Sequence, residues 1–282
     1  MKLLTVCLSM ILTSCALAQK ISNPNLTQVM SQGEVRWVEF PVPAKKDVKF
    51  SCRDAEVKFV TKGDKGQAFV MESYFSDLTP FSCKVEYQGK VTHEIKFTVK
   101  ERDYYAEQLK VDPKKIKLSA KAEKRVMAEQ IVLNKIYASS PNEFLFDQAF
   151  IPPLNNHVTS VYGNRRVYNK QKKGQHLGID YRAAIGDKVP TANAGKIVFA
   201  GDLFFTGWTV IVDHGLDIFT VYGHLSKTLV KAGDMVKRGD LIALSGNTGR
   251  TSGPHLHWGT KVQGQYIDGF ILIEESKKSF KP

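Results

Sequence analysis

The chain has 282 residues, 43% hydrophobic and 24% charged, the balance of a globular protein long enough for one large domain or two ordinary ones. Its formal net charge of +12 is spread along the chain and not gathered in one arm, which argues against a dedicated nucleic-acid patch. A diffuse positive field suits residence near an anionic polymer such as a cell wall, by an attraction that salt weakens.

At the N-terminus, Lys2 precedes an apolar run over residues 3–12, and Ala16-Leu17-Ala18 forms a small-x-small cleavage site before Gln19. Residues 1–18 therefore read as an export signal, too short to span a bilayer. Leu12-Thr13-Ser14-Cys15 also resembles the lipobox of bacterial lipoproteins, in which the Cys is acylated. Cleavage after Ala18 and lipidation at Cys15 stand as alternatives, and membrane attachment is expected only with the second. Either way the mature chain leaves the cytoplasm. Of the four cysteines, Cys7 goes with the signal, and so does Cys15 under simple cleavage. The remaining pair, Cys52 and Cys83, is predicted to form a disulfide in an oxidising compartment.

Within a first domain of residues 19–100, those from about 33 onward alternate apolar and polar side chains over short stretches. Examples are Val35-Arg36-Trp37-Val38-Glu39-Phe40, Val57-Lys58-Phe59-Val60, Cys83-Lys84-Val85-Glu86-Tyr87 and Ile95-Lys96-Phe97-Thr98-Val99, with turns such as Lys62-Gly63-Asp64-Lys65-Gly66 between them. This pattern predicts an Ig-like antiparallel sandwich. Residues 101–141 change character: Val126, Gln130, Leu133 and Tyr137 recur at helical spacing over residues 121–137, Ser119 offers a start signal, and Ser139-Ser140-Pro141 ends the run. This is a helical linker. Residues 142–282 are rich in Gly and strand-like. Predicted strands cover Gly195-Lys196-Ile197-Val198-Phe199-Ala200-Gly201, Thr209-Val210-Ile211-Val212-Asp213-His214, Phe219-Thr220-Val221-Tyr222 and Leu241-Ile242-Ala243-Leu244. No long helical period is predicted after residue 140. The fold class is mainly β.

Two segments carry chemistry: His176-Leu177-Gly178-Ile179-Asp180 and Gly253-Pro254-His255-Leu256-His257-Trp258. On extended backbone, even spacing puts His176 with Asp180, and His255 with His257, on one face, while Leu256 and Trp258 face a core. Two His and one carboxylate supply three ligands of a tetrahedral zinc site with one position left for water. A lone His is more often a satisfied core or surface residue. The Gly- and Pro-flanked setting of both pairs, with His224 between them in the chain, favours a metal site.

With Ser160-Val161-Tyr162-Gly163-Asn164-Arg165-Arg166, Val221-Tyr222-Gly223-His224-Leu225 and Gly246-Asn247-Thr248-Gly249 added, residues 144–270 resemble the lysostaphin/LytM-type zinc metallopeptidases that cut peptidoglycan peptide bonds. The resemblance implies an antiparallel β-sheet with a groove. It also implies one Zn2+ per chain held by His176, Asp180 and His257, with His224 and His255 beside the metal. Zinc acidifies water and polarises a carbonyl, and imidazoles nearby can take and return the proton. His255 is assigned as general base and His224 as transition-state stabiliser, the two roles being exchangeable.

The expected function is an exported zinc endopeptidase of peptidoglycan cross-links, D-alanyl ones in a Gram-negative periplasm or envelope. It would act as a monomer on peptide stems, with no nucleic-acid partner, and its sandwich would position it on the wall or shield the groove. The alternatives are a glycyl-glycine endopeptidase, a stem-trimming carboxypeptidase, and a non-catalytic wall-binding or amidase-activating relative; retention of all five site residues favours an enzyme. Tyr162, Arg165 and Arg166 either contact acidic groups of a stem or cap the sheet. His157 and His214 are expected to be structural, and Asp213 to be a surface carboxylate at a strand end.

Overall fold

The computed structural model describes residues 27–43, 47–109, 118–168 and 172–280; the export signal, Cys7 and Cys15 lie outside them. The N-terminal strands are β1 (Gln28–Ser31), β2 (Val35–Pro41), β3 (Val48–Cys52), β4 (Ala55–Glu56), β5 (Val60–Lys62), β6 (Lys65–Met71), β7 (Phe81–Tyr87) and β8 (Lys90–Lys100). They form a five-stranded sheet in the order β1-β8-β7-β3-β4 and a three-stranded sheet in the order β2-β6-β5. Met30, Val38, Phe40, Phe50, Val70, Val85 and Phe97 fill a core shared by the two sheets. Strands β1 and β8 pair in parallel, an exception to the antiparallel expectation.

The stretch Val57-Lys58-Phe59, expected as strand, is irregular. Its side chains are committed elsewhere: Phe59 packs on the Phe40 and Phe50 rings, and Lys58 Nζ donates to Ser140 O (2.6 Å) and Asp217 Oδ1 (2.8 Å). Cys52 and Cys83 are directly opposed in the β3–β7 register and form the expected disulfide.

After β9 (Ala106–Leu109) comes α1 (Ala120–Tyr137). Ser119 caps α1 by accepting the Ala122 N–H at 3.3 Å, the capping chemistry that makes Ser a good helix starter. Leu133 and Tyr137 pack on Ile211, Phe219 and Val221, so α1 lies across one face of the second half of the chain.

That half holds β10 (Val158–Ser160), β11 (Arg165–Tyr168), β12 (Lys172–Gln175), β13 (Ile179–Arg182), β14 (Lys188–Pro190), β15 (Gly195–Leu203) and β16 (Gly207–Asp213). It continues with β17 (Ile218–Thr228), β18 (Met235–Val236), β19 (Leu241–Ser245), β20 (His255–Val262) and β21 (Gln265–Ile267). The main sheet runs β10-β13-β20-β17-β16-β15-β18, with β21 on β20 and the β19–β14 pair on β17. Strand β9 adds in parallel to the antiparallel β11–β12 pair. The fold is mainly β, as expected.

A second helix, α2 (Gly269–Ser279), follows β21; it is a short helix of 11 residues that the sequence reading, which expects no long helical period after residue 140, does not identify. Its run Phe270-Ile271-Leu272-Ile273 is continuously apolar. The Asp268 side chain caps the helix by accepting the Phe270 N–H at 3.0 Å, and Lys277 and Lys278 occupy its last turn. Glu275 on α2 is nearly buried (5% exposed) and accepts the Trp37 N–H at 3.0 Å. The larger core likewise combines Val35, Phe69, Tyr74 and Tyr104 with Tyr162, Tyr181, Leu256 and Trp258. Among the described residues no helix is long and apolar enough to cross a membrane.

The bridge closes a loop between cysteines 31 positions apart, a constraint that lends about 3–4 kcal/mol in the chain-entropy description. Replacing both cysteines, Cys52→Ser with Cys83→Ser, is expected to lower the thermal midpoint in oxidising buffer. The metal content should stay unchanged; calorimetry with metal analysis checks both.

Candidate metal centre and active site

Strand β20 is central in the sheet, with β13 on one side and β17 on the other. The register opposes Asp180 to His257 and Arg182 to His255, while Gly223 faces His257 from β17. Alternation along β20 buries Leu256 and Trp258 completely and turns His255 and His257 to the opposite face. His176 precedes β13 and reaches the same point. Three donor atoms converge: His176 Nε2 lies 2.9 Å from Asp180 Oδ1, His257 Nδ1 lies 2.8 Å from the same oxygen, and the two nitrogens are 3.2 Å apart. A tetrahedral ion with arms of about 2.0–2.1 Å sets its ligand atoms about 3.3 Å apart. The His–Asp–His donor set therefore fits a small divalent cation.

Backbone carbonyls fix the imidazole tautomers, since a carbonyl only accepts. His176 Nδ1 donates to Val161 O (3.0 Å), which leaves Nε2 as a lone pair for a metal. His255 Nδ1 donates to Gly253 O (2.8 Å) and His224 Nδ1 to Thr248 O (2.7 Å). In its neutral form each of these two rings then leaves Nε2 unprotonated. His255 Nε2 is 3.6 Å from Asp180 Oδ1, and the His224 and His255 ring centroids are 4.7 Å apart. Val161, Thr248 and Gly253 thereby hold the site from outside the donor set. Sequence reading put these residues in motifs without assigning them to an imidazole, because a backbone carbonyl leaves no signature in residue type.

His224 sits at φ +59°, in the left-handed region that His enters more readily than most residues. Strand β17 carries one extra residue here, since Trp208 pairs with Leu225 while Val210 pairs with Tyr222. The bulge re-aims the side chain, and the His224 N–H is held by Thr206 O at 2.6 Å.

Gly178 is required by close approach. A Cβ there would overlap His257 Cε1 and lie 2.7 Å from its Nε2.

Burial disfavours a charged Asp180, yet the His176 and His257 imidazoles beside it outweigh that and hold the carboxyl well below its ordinary range. Burial depresses His257 and brings His224 down to about 4, so both rings favour the neutral form that a ligand or base requires.

The other candidate residues fall elsewhere. Tyr162 is buried, donates to Tyr266 O at 2.8 Å and packs on Tyr74 and Tyr104, which makes it a core residue and not a substrate contact. Arg165 is exposed on β11, with its backbone N–H on Tyr105 O; the side chain of Arg166 lies outside the described residues. His157 is exposed. His214 is fully buried, donates from Nδ1 to Ala194 O (2.6 Å) and has Nε2 2.8 Å from Thr220 Oγ1. Asp213 departs from expectation: it is 2% exposed and accepts from Ser140 Oγ (2.6 Å) and Gly215 N–H (2.9 Å). The fold covers this strand end with residues 140–145, and burial raises its pKa.

Residues 174–269 match peptidase family M23. Over 112 residues the chain is 40% identical to peptidoglycan DD-endopeptidase ShyA of Vibrio cholerae, covering 39% of this chain and 26% of that protein. Over 117 residues it is 33% identical to DD-carboxypeptidase/endopeptidase Mpg of Neisseria meningitidis, covering 42% and 27%. The chain thus spans about a quarter of the length of these curated relatives. A crystal structure of a Pseudomonas aeruginosa protein assigned to peptidase M23 superposes with a TM-score of 0.68 at 25% identity, covering 87% of this chain and 95% of that one.

Gly178→Ala is expected to push the His257 ring aside and weaken Zn2+ binding by about 10- to 100-fold, the range for disturbed ligand support. Competition with a chromophoric chelator measures it. His214 generates a pH prediction. Burial lowers its pKa from 6.5 to about 4, so the unfolded chain takes up the proton first as pH falls. The stability it lends is complete above pH 6.5 and is lost towards pH 4, on the order of 3 kcal/mol for such a shift. Denaturant unfolding across this window should show the loss, and His214→Gln should remove that part of the slope.

Proposed function

With residues 174–269 a peptidase family M23 domain, we propose that the chain is an exported zinc endopeptidase that hydrolyses cross-linking peptide bonds of peptidoglycan. The convergence of His176 Nε2, Asp180 Oδ1 and His257 Nδ1 at 2.8–3.2 Å carries this reading. The His224 and His255 rings beside them support it. The names of the relatives, a DD-endopeptidase and a DD-carboxypeptidase/endopeptidase, support D-alanyl cross-links over glycyl ones. Residues 142–282 form the peptidase unit in this reading, residues 19–100 the accessory sandwich and 101–141 the linker. Export follows from residues 1–18 or a lipidated Cys15, with the periplasm or envelope as destination.

His176, Asp180 and His257 would hold one zinc ion, whose chemistry is Lewis acidity at the scissile carbonyl and a water pKa lowered toward about 7. The chain's own groups do the rest. His255, with its Nδ1 proton committed to Gly253, has only Nε2 with which to take the proton of the attacking water, and it returns that proton to the departing amine nitrogen. His224 is committed in the same way to Thr248. It offers a second acceptor at Nε2, and when it takes the water's proton in place of His255 it donates that hydrogen to the developing oxyanion. Asp180, kept ionised by its two imidazole neighbours, supplies negative charge to the metal centre.

Incubating the full chain with cross-linked muropeptides, with and without a chelator, tests the reading by mass spectrometry of the products. Chelator-sensitive cleavage at the D-alanyl cross-link is expected, and no product under either condition would remove the enzyme proposal. His176→Ala and Asp180→Ala are expected to lose metal and turnover together. His255→Ala should keep its metal and lose about 10²- to 10⁴-fold in turnover, the usual worth of a general base. Equal metal loss in all three variants would reverse the assignment of His255.

A further inference from the structure

The turn between β15 and β16, Phe204-Phe205-Thr206, lies between the linker helix and the His224 backbone. On one side the Thr206 carbonyl accepts the His224 N–H at 2.6 Å, and Phe205 O accepts the Arg250 N–H at 2.9 Å. Gly207 and Gly249, at φ +60° and +75°, pack so closely that a Cβ on either would overlap the other's loop. The turn is therefore locked to the Thr248 segment that orients the His224 ring.

On the other side stands α1, none of whose residues is fully buried. Glu129 on α1 receives the Phe204 N–H with both carboxylate oxygens, at 3.1 and 3.0 Å. Arg125, one helical turn earlier, bonds Glu129 at 2.6 Å and Asp202 at 2.8 Å, so the acceptor is itself held in place. Carboxylate-to-amide bonds of this kind are charge-assisted and stronger than neutral ones. His224 depends on such support, because a left-handed backbone costs about 1–2 kcal/mol for an ordinary residue and persists only where neighbours hold it.

We propose that Glu129, a linker residue outside the catalytic sheet, is a positioning residue for His224, acting through Phe204 and the Thr206 carbonyl. The inference rests on the proposed catalytic role of His224. It makes the linker helix part of the active-site support and not only a spacer between the two halves of the chain.

The test uses the full chain and three variants: Glu129→Ala, Glu129→Gln, which keeps one acceptor oxygen, and Lys124→Ala, an exposed control on the same helix. In Glu129→Ala the kcat on cross-linked muropeptide should fall about 10-fold or more, as for a misplacement transmitted from a distance, with KM nearly constant and zinc content unchanged. Hydrogen exchange of residues 203–208 should rise. Glu129→Gln should recover most of both readouts, and Lys124→Ala should match the parent chain. Unchanged exchange in Glu129→Ala, or an equal effect in Lys124→Ala, would overturn the proposal. If the parent chain cleaves no muropeptide, the functional reading fails; the exchange measurement, with the His224 imidazole NMR signal, still decides whether Glu129 holds the turn.

Discussion

The pairing of β13 with β20 is the constraint on which the site depends. It opposes Asp180 to His257 and so brings a carboxylate and an imidazole from positions 77 residues apart within one cation's reach. A strand register is specified strongly when one face is buried, because a slip of one residue exchanges the faces. Here Ile179 and Tyr181 on β13, and Leu256 and Trp258 on β20, are essentially fully buried. The apolar half of each strand therefore holds the polar half in register. Gly178 before β13 leaves room for the His257 ring.

Around this regular centre, the irregular backbone controls protonation. The carbonyls of Val161, Thr248 and Gly253 each take the Nδ1 proton of one imidazole, and all three lie in loops. A regular strand has its carbonyls committed to the ladder, so loops and a bulge are where acceptors can be spared for side chains. The rigid sheet sets distances, and the loops above it select which ring nitrogen carries the proton.

The two halves of the chain are joined by more than the linker. Tyr74 and Tyr104 pack with Tyr162, Glu275 on α2 takes the Trp37 amide, and Lys58 reaches Ser140 and Asp217. Ser140 in turn bonds the buried Asp213. Side chains of the first half are thus part of the support of the second. The Pseudomonas structure, aligned over 87% of this chain, has the same architecture across both halves.

Much was legible in the residues themselves. The period-2 segments on both sides of the linker, the helix with its Ser119 cap, and the shared faces of His176 with Asp180 and of His255 with His257 are written in local spacing; the cysteine pair followed from cysteine count and compartment, and the place of His224 beside the others from the family resemblance. Local spacing is governed by backbone geometry, which any chain shares. What the sequence left undecided depends on contacts between distant segments. The short helix α2, which no sequence period announced, forms where Asp268 caps it and Leu272 and Ile273 join a core with Val35 of β2. Asp213 became buried because residues 140–145 fold over it. Val57-Lys58-Phe59 left the ladder because its side chains found partners elsewhere. The tautomers of the three histidines and the tie from Glu129 to the His224 turn were decided by tertiary structure alone, since a backbone carbonyl or amide is chemically the same at every residue and only its position in space gives it a partner.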